Sequence, residues 1–204
     1  LSYTIRTLSP VLMSSMSNST IMTATHDDFS GSIIRGVLAS RYVEKQNIKD
    51  NAYKDKNFLE LFYGGLKFLP ANPDCNGQRS IILPLSLQQA KSGNQNLEIQ
   101  DLLTCTEPNK GYKSLRGYGI VDNGKIKTSS VNKNIFMHMS RSSDNERLAG
   151  KSSEGQIYNY ESINEGQFFH GLIIGDSELL QKLIDGLNLK NKSMNAYIGR
   201  SHFT

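Results

Sequence analysis

The chain of 204 residues has no tryptophan, five prolines and two cysteines, and each scarcity removes a class of explanation. Cys75 and Cys105 stand thirty positions apart and form no C-x-x-C pair. That spacing excludes a zinc ribbon and a disulfide framework and leaves two reduced thiols. The four histidines, His26, His138, His170 and His202, lack the H-E-x-x-H or H-x-x-x-H spacing that sets two ligands on one helix face. No protein-built metal site and no cofactor are expected. The longest apolar runs, beginning at Ile81 and Gly171, are far shorter than the roughly 20 residues of a membrane span. The first ten residues, LSYTIRTLSP, carry no basic region followed by an apolar one, so they do not read as a signal peptide. A cytoplasmic protein with no membrane partner is the expectation.

What is present is a concentrated charge. The whole chain carries +4 at pH 7, yet Lys110 to Lys151 alone holds nine basic residues against Asp122, Asp144 and Glu146. The remainder is therefore slightly acidic. Lys110, Lys113, Arg116, Lys125, Lys127, Lys133, Arg141 and Arg147 are interleaved there with Tyr112, Tyr118 and Phe136 in a Gly, Ser and Asn-rich context. Such a mixture suits contact with phosphates and stacking on bases, and equally suits a flexible solvated loop.

Around that segment the periodicity alternates. SYTIR reads as a first strand. Ile33, Ile34, Val37, Leu38 and Tyr42 fall at helical spacing, which predicts a helix over about 32–46. KNFLELFYGG reads as a short second helix stopped by Gly64 and Gly65, and RSIILPLSLQQA as a strand broken by Pro84. Ile157 to Ile174 reads as two antiparallel strands turning at Asn164 to Gly166. Leu179, Leu180, Leu183, Ile184 and Leu187 mark a last helix capped by Asp176 or Ser177, and NAYIGRSHFT reads as a final strand. The simplest arrangement is α+β, a ferredoxin-like βαββαβ core with long insertions.

The stretch SGSIIRG at the mouth of the first helix is unusual. The first turn of a helix presents unpaired N–H groups and partial positive charge, which suits an anion. Gly31 would let a phosphate approach the backbone, Ser32 would donate a hydroxyl, and Arg35 would bring a fixed charge one turn on. Gly36, costing about 1 kcal/mol inside a helix, would admit another backbone or an RNA. The plainer reading makes Ser30 an ordinary N-cap and Gly36 a tight helix-to-sheet contact.

G-S-x-x-R-G opening the first helix resembles the signature of the RAMP superfamily of CRISPR effector subunits. Arg141, Gly155, Ile157, Tyr158, Glu161, Gly166 and Phe168 resemble a second motif of that superfamily, and YIGRS, with Gly199 and Arg200, resembles the start of its glycine-rich loop. TATHDDFSGSIIRG, HMSR and GQIYNYE together look most like the large RAMP subunit of type III-D complexes. Ser30 replaces the usual proline, and the glycine-rich loop is cut at Thr204, so the resemblance implies a fragment of a longer chain. It implies one RRM-like domain over 1–204 with a thumb-like basic hairpin inserted at 110–151. The implied ligand is CRISPR RNA, with other effector subunits and target RNA as further partners. The RNA-binding residues would be Gly31, Ser32, Arg35, Gly36, Lys110, Lys113, Arg116, Tyr118, Lys125, Lys127, Lys133, His138, Arg141, Arg147, Gly199 and Arg200.

Catalysis is a separate question. Metal-free RNA cleavage needs a base near the 2′-hydroxyl and an acid at the leaving oxygen. His26, beside Asp27 and Asp28, and His138 are the candidates, His26 against the plainer role of a loop histidine and His138, sharing a strand with Arg141, against a role in binding RNA. A non-catalytic RNA-binding subunit is the first reading, and an endoribonuclease using His26 or Asp27 and Asp28 is the alternative. A nucleotide-binding enzyme is disfavoured because neither G-x-x-x-x-G-K-[ST] nor G-x-G-x-x-G occurs.

Overall fold

The structure is a computed structural model that describes residues 1–15, 22–91, 99–107, 111–122, 125–139, 157–189 and 193–199. It is mixed α+β and rich in antiparallel strands. Helix α1 (Gly31–Gln46) starts where Ser30 Oγ accepts from the Ile33 N–H at 3.4 Å, and it stops at Asn47, whose left-handed backbone caps the last carbonyls. Helix α2 (Lys56–Glu60) starts at Asp55, whose carboxylate accepts from the Phe58 N–H at 2.7 Å, and it runs into a π-helical turn (Leu61–Gly65). Helix α3 (Ser177–Leu187) ends at Asn188, again left-handed.

The two long helices share one layer. They cover a five-stranded sheet built from β1 (Ser2–Arg6), β3 (Lys67–Phe68), β4 (Asn72–Cys75), β5 (Gln78–Arg79) and β14 (Phe168–Ile174). Strand β14 lies between β1 and β4 and runs antiparallel to both, so β1 and β4 run parallel to each other. The chain between those two strands passes through α1 and α2. Phe169 of β14 is buried with Ile34 of α1, and Ile173 of β14 with Tyr42 of α1 and Leu183 and Leu187 of α3. Burying each such side chain contributes about 1.5–3 kcal/mol, which is why the apolar spacing of both helices could be read from the sequence. Phe29 meets Phe169 edge to face, with ring centroids 4.8 Å apart.

The other described strands form three smaller sheets: β12 (Lys133–Met139), β13 (Ile157–Ile163) and β2 (Met22–Thr23) in one; β11 (Lys125–Ser129), β10 (Tyr118–Asp122) and β6 (Ile81–Ile82) in another; β8 (Gln100–Asp101), β7 (Leu87–Ala90) and β9 (Tyr112–Ser114) in the third. Two sequence expectations change here. The strands β13 and β14 do form, but they pair with different partners: β13 with β12 and β2, β14 with β1, β4 and β3. The chain turns the corner at Gln167, whose amide accepts from the Asn132 N–H and donates to the carbonyls of Asn132 and Asn164. The basic stretch, in turn, is not a single hairpin: its described residues supply strands to all three smaller sheets.

The tail also differs. Within the described residues, Ser193–Gly199 forms no strand and lines a cavity of about 660 Å³ beside β1, α1 and α3. No described helix is long and apolar enough to cross a membrane.

Candidate nucleic-acid interface

The first turn of α1 uses its residues in two different ways. A β-carbon on Gly31 would overlap the Phe68 carbonyl, so this glycine is required by close packing of the helix mouth against β3. Ser32, Arg35 and Gly36 instead lie exposed on one face, at the three- and four-residue spacing of helix neighbours. A β-carbon on Gly36 would meet nothing within 4 Å, so the tight helix-to-sheet contact expected for it does not exist. Ser30 caps the helix and its hydroxyl lies 2.9 Å from that of Ser32. Among the described residues the N–H groups of Gly31 and Ser32 have no partner.

The loop before the helix is fastened at both ends. Phe29 and Ala71 exchange backbone hydrogen bonds of 2.9–3.0 Å, and buried Thr25 accepts from the Met13 N–H through its hydroxyl. Glu161 on β13 accepts from the Thr25 N–H at 3.0 Å. Lys133 on β12 donates to the Thr25 carbonyl at 2.8 Å and pairs with Asp27 at 2.6 Å and Glu161 at 3.1 Å. Burial alone would lower the lysine, but the two carboxylates outweigh it and hold its pKa above the ordinary value. Lys133 is thus a clamp on this loop.

Tyr118 has a related role. Its phenol lies near the Asp28 carboxyl; burial first, then the charge of Asp28, pushes the phenol up to about 12. Burial raises the Asp28 carboxyl, opposed by His26 and by the Tyr118 hydroxyl. The ring expected to stack on a base is half-buried beside Asp28. His26 and Asp27, by contrast, are exposed.

The remaining sequence-predicted residues are dispersed. Lys113 on β9, Arg116 after it and Lys125 on β11 are exposed and enter no ion pair among the described residues. Lys127 on β11 pairs with Asp122 at 2.6 Å. His138 on β12 stacks on Tyr158 across the ladder, with centroids 5.4 Å apart, and also touches Tyr160. Phe136 is half-buried on the same strand face as His138, and Tyr112 is half-buried on β9. Gly199, at φ 107°, has its α-carbon facing the Leu12 backbone. Lys110, Arg141, Arg147, Gly155 and Arg200 lie outside the described residues. No group of three or more potential metal ligands occurs among the described residues.

Three elements therefore converge just ahead of α1: β10 through Tyr118, β12 through Lys133 and β13 through Glu161. Sequence motifs pointed to Glu161 but not to its partner, because the Thr25 bond joins residues 136 positions apart. No protein-family model matches the chain, and no curated protein is significantly similar to it. Chemically, the exposed helix face offers backbone donors, a hydroxyl and a guanidinium to an anion, and the clamped loop beside it offers carboxylates and an imidazole.

Proposed function

We propose that the chain is a non-catalytic RNA-binding subunit of a type III CRISPR ribonucleoprotein, with CRISPR RNA as its ligand. The observation that carries this reading is the exposed face of α1, where Ser32 and Arg35 flank a Gly36 backbone that nothing covers. A phosphodiester strand laid there meets N–H donors, a hydroxyl and a cation, contacts that position a backbone without reading its sequence. Exposed Lys113, Arg116 and Lys125 extend the cationic surface. The resemblance of the G-S-x-x-R-G stretch to RAMP subunits supports the reading of that RNA as a CRISPR RNA and of the protein as a cytoplasmic partner of other effector subunits. Exposed apolar side chains at Ile82, Leu85, Leu103, Val121 and Met137 suit contact with such neighbours.

The same reading takes the main sheet as an RRM-like, ferredoxin-like core. Its support is the split order of β1, α1 and β4 with β14 inserted, followed by α3. The place of a fourth strand, at the outer edge of β1, is bordered by Ser193–Gly199.

Binding of end-labelled single-stranded repeat RNA, followed on native and denaturing gels, tests the proposal. A shifted, intact strand is the expected result, and no shift even at low salt opposes it. Cleavage would favour the second reading, an endoribonuclease at the loop, which rests on exposed His26 beside Asp27 and Asp28. In that case His26→Ala should cost at least about 100-fold in single-turnover rate, as removal of a general base or acid does.

A further inference from the structure

The helices cover only one face of the main sheet. On the other face a hydroxyl, an imidazole and a carboxylate stand in line across three strands. Thr4 and His170 are directly opposed on β1 and β14, with Thr4 Oγ1 3.1 Å from His170 Nδ1. His170 Nε2 lies 2.6 Å from Asp74 Oδ1 on β4. The other carboxylate oxygen of Asp74 accepts from the Gly77 N–H at 3.2 Å, and its carbonyl accepts from the Ser129 hydroxyl, so the acid is held from several sides.

A carboxylate only accepts, so Nε2 must carry the ring hydrogen. Nδ1 of the neutral ring is then an acceptor, and the Thr4 hydroxyl donates to it. That is the polarity of a nucleophile, base and orienting acid, with the two ring nitrogens exchanged relative to the serine hydrolases. Thr4 is exposed. Phe168, 47% exposed, flanks His170 on the same face, and the Arg6 guanidinium lies 5.8 Å from its ring centroid.

We propose that Thr4, activated by His170 and with Asp74 as positioning residue, is an acyl acceptor for carboxylic esters whose apolar part lies along Phe168. Thr4 Oγ1 attacks the ester carbonyl as His170 Nδ1 takes its proton. On collapse of the tetrahedral intermediate the ester C–O bond breaks and the leaving oxygen takes the proton from Nδ1. A water, deprotonated by the same nitrogen, then attacks the acyl carbon; the bond to Thr4 breaks and the hydroxyl regains its proton. No oxidant, metal or cofactor enters, and the activity is independent of RNA binding.

The test uses the full chain with p-nitrophenyl acetate, following p-nitrophenolate release and locating the acetyl group by peptide fragmentation that separates Thr4 from the Leu1 amine. Acetyl on Thr4 is expected, retained in Thr4→Ser and absent in Thr4→Ala. His170→Gln should slow labelling at residue 4 by at least about 100-fold. Asp74→Asn should slow it less, with recovery in Asp74→Glu and unchanged melting temperatures. Should His170→Gln fail to fold, the Asp74 pair and Thr4→Ser decide. Acetyl spread over lysines and the N-terminus, at rates these substitutions leave alone, overturns the proposal.

Discussion

The carbonyl oxygen of Phe68 occupies the space that a side chain on Gly31 would need. The obstacle is backbone, which cannot swing aside as a flexible side chain would. Gly31→Ala should therefore destabilise the fold by about 1–3 kcal/mol, the usual cost of overpacking, while the folded fraction binds RNA as before. Thermal unfolding beside an RNA titration checks it. An unchanged melting temperature with weakened binding would return Gly31 to the phosphate seat that the sequence suggested.

Gly36 is the opposite case, since a β-carbon there meets nothing within 4 Å. Glycine in a helix interior gives up about 1 kcal/mol relative to alanine, so Gly36→Ala should raise stability by up to about that amount. Bulk at the same position should obstruct the strand: Gly36→Leu is expected to fold normally and bind RNA more weakly. Binding at the wild-type level by Gly36→Leu would remove this helix face from the interface.

The raised carboxyl of Asp28 makes a pH prediction with a definite sign. A folded-state value above the ordinary 3.8 means the native protein binds more protons than the unfolded chain between the two values. Stability on this account is greatest below the unfolded value and declines as pH rises through the folded one. Asp28→Asn has no proton to lose and should flatten that decline, melting no lower than wild type at pH 7. Melting curves across pH 3 to 7 decide it; a variant that melts lower at pH 7 but keeps the wild-type pH slope contradicts the assignment.

The helices were legible because their signal is local. Ile34 and Tyr42, or Leu183 and Leu187, fall on one face by spacing alone and are buried. The positions of β13 and β14 were legible for the same reason, since alternation marks them. Their partners were not. Alternation says which side chains share a face and is silent on which strand lies alongside, so Ile163 bridging Val11 could not be foreseen. The basic stretch misled in a related way: its charges sum along the chain, but Lys133 is neutralised by Asp27 and Glu161 from elsewhere in the sequence. The purpose of Gly31 was hidden by the 37 positions that separate it from Phe68.

Arg35 bears most directly on RNA binding at the mouth of α1. A cation that neutralises one phosphate on a single strand contributes about 0.7 to the slope of log affinity against log salt. Salt titrations of single-stranded RNA binding by wild type and Arg35→Ala should show weaker binding for every sequence and a slope flatter by about that amount. The melting temperature should not change, because Arg35 is exposed. Wild-type affinity and slope in Arg35→Ala, accompanied by a lowered melting temperature, would make Arg35 a structural side chain and contradict RNA binding at this helix.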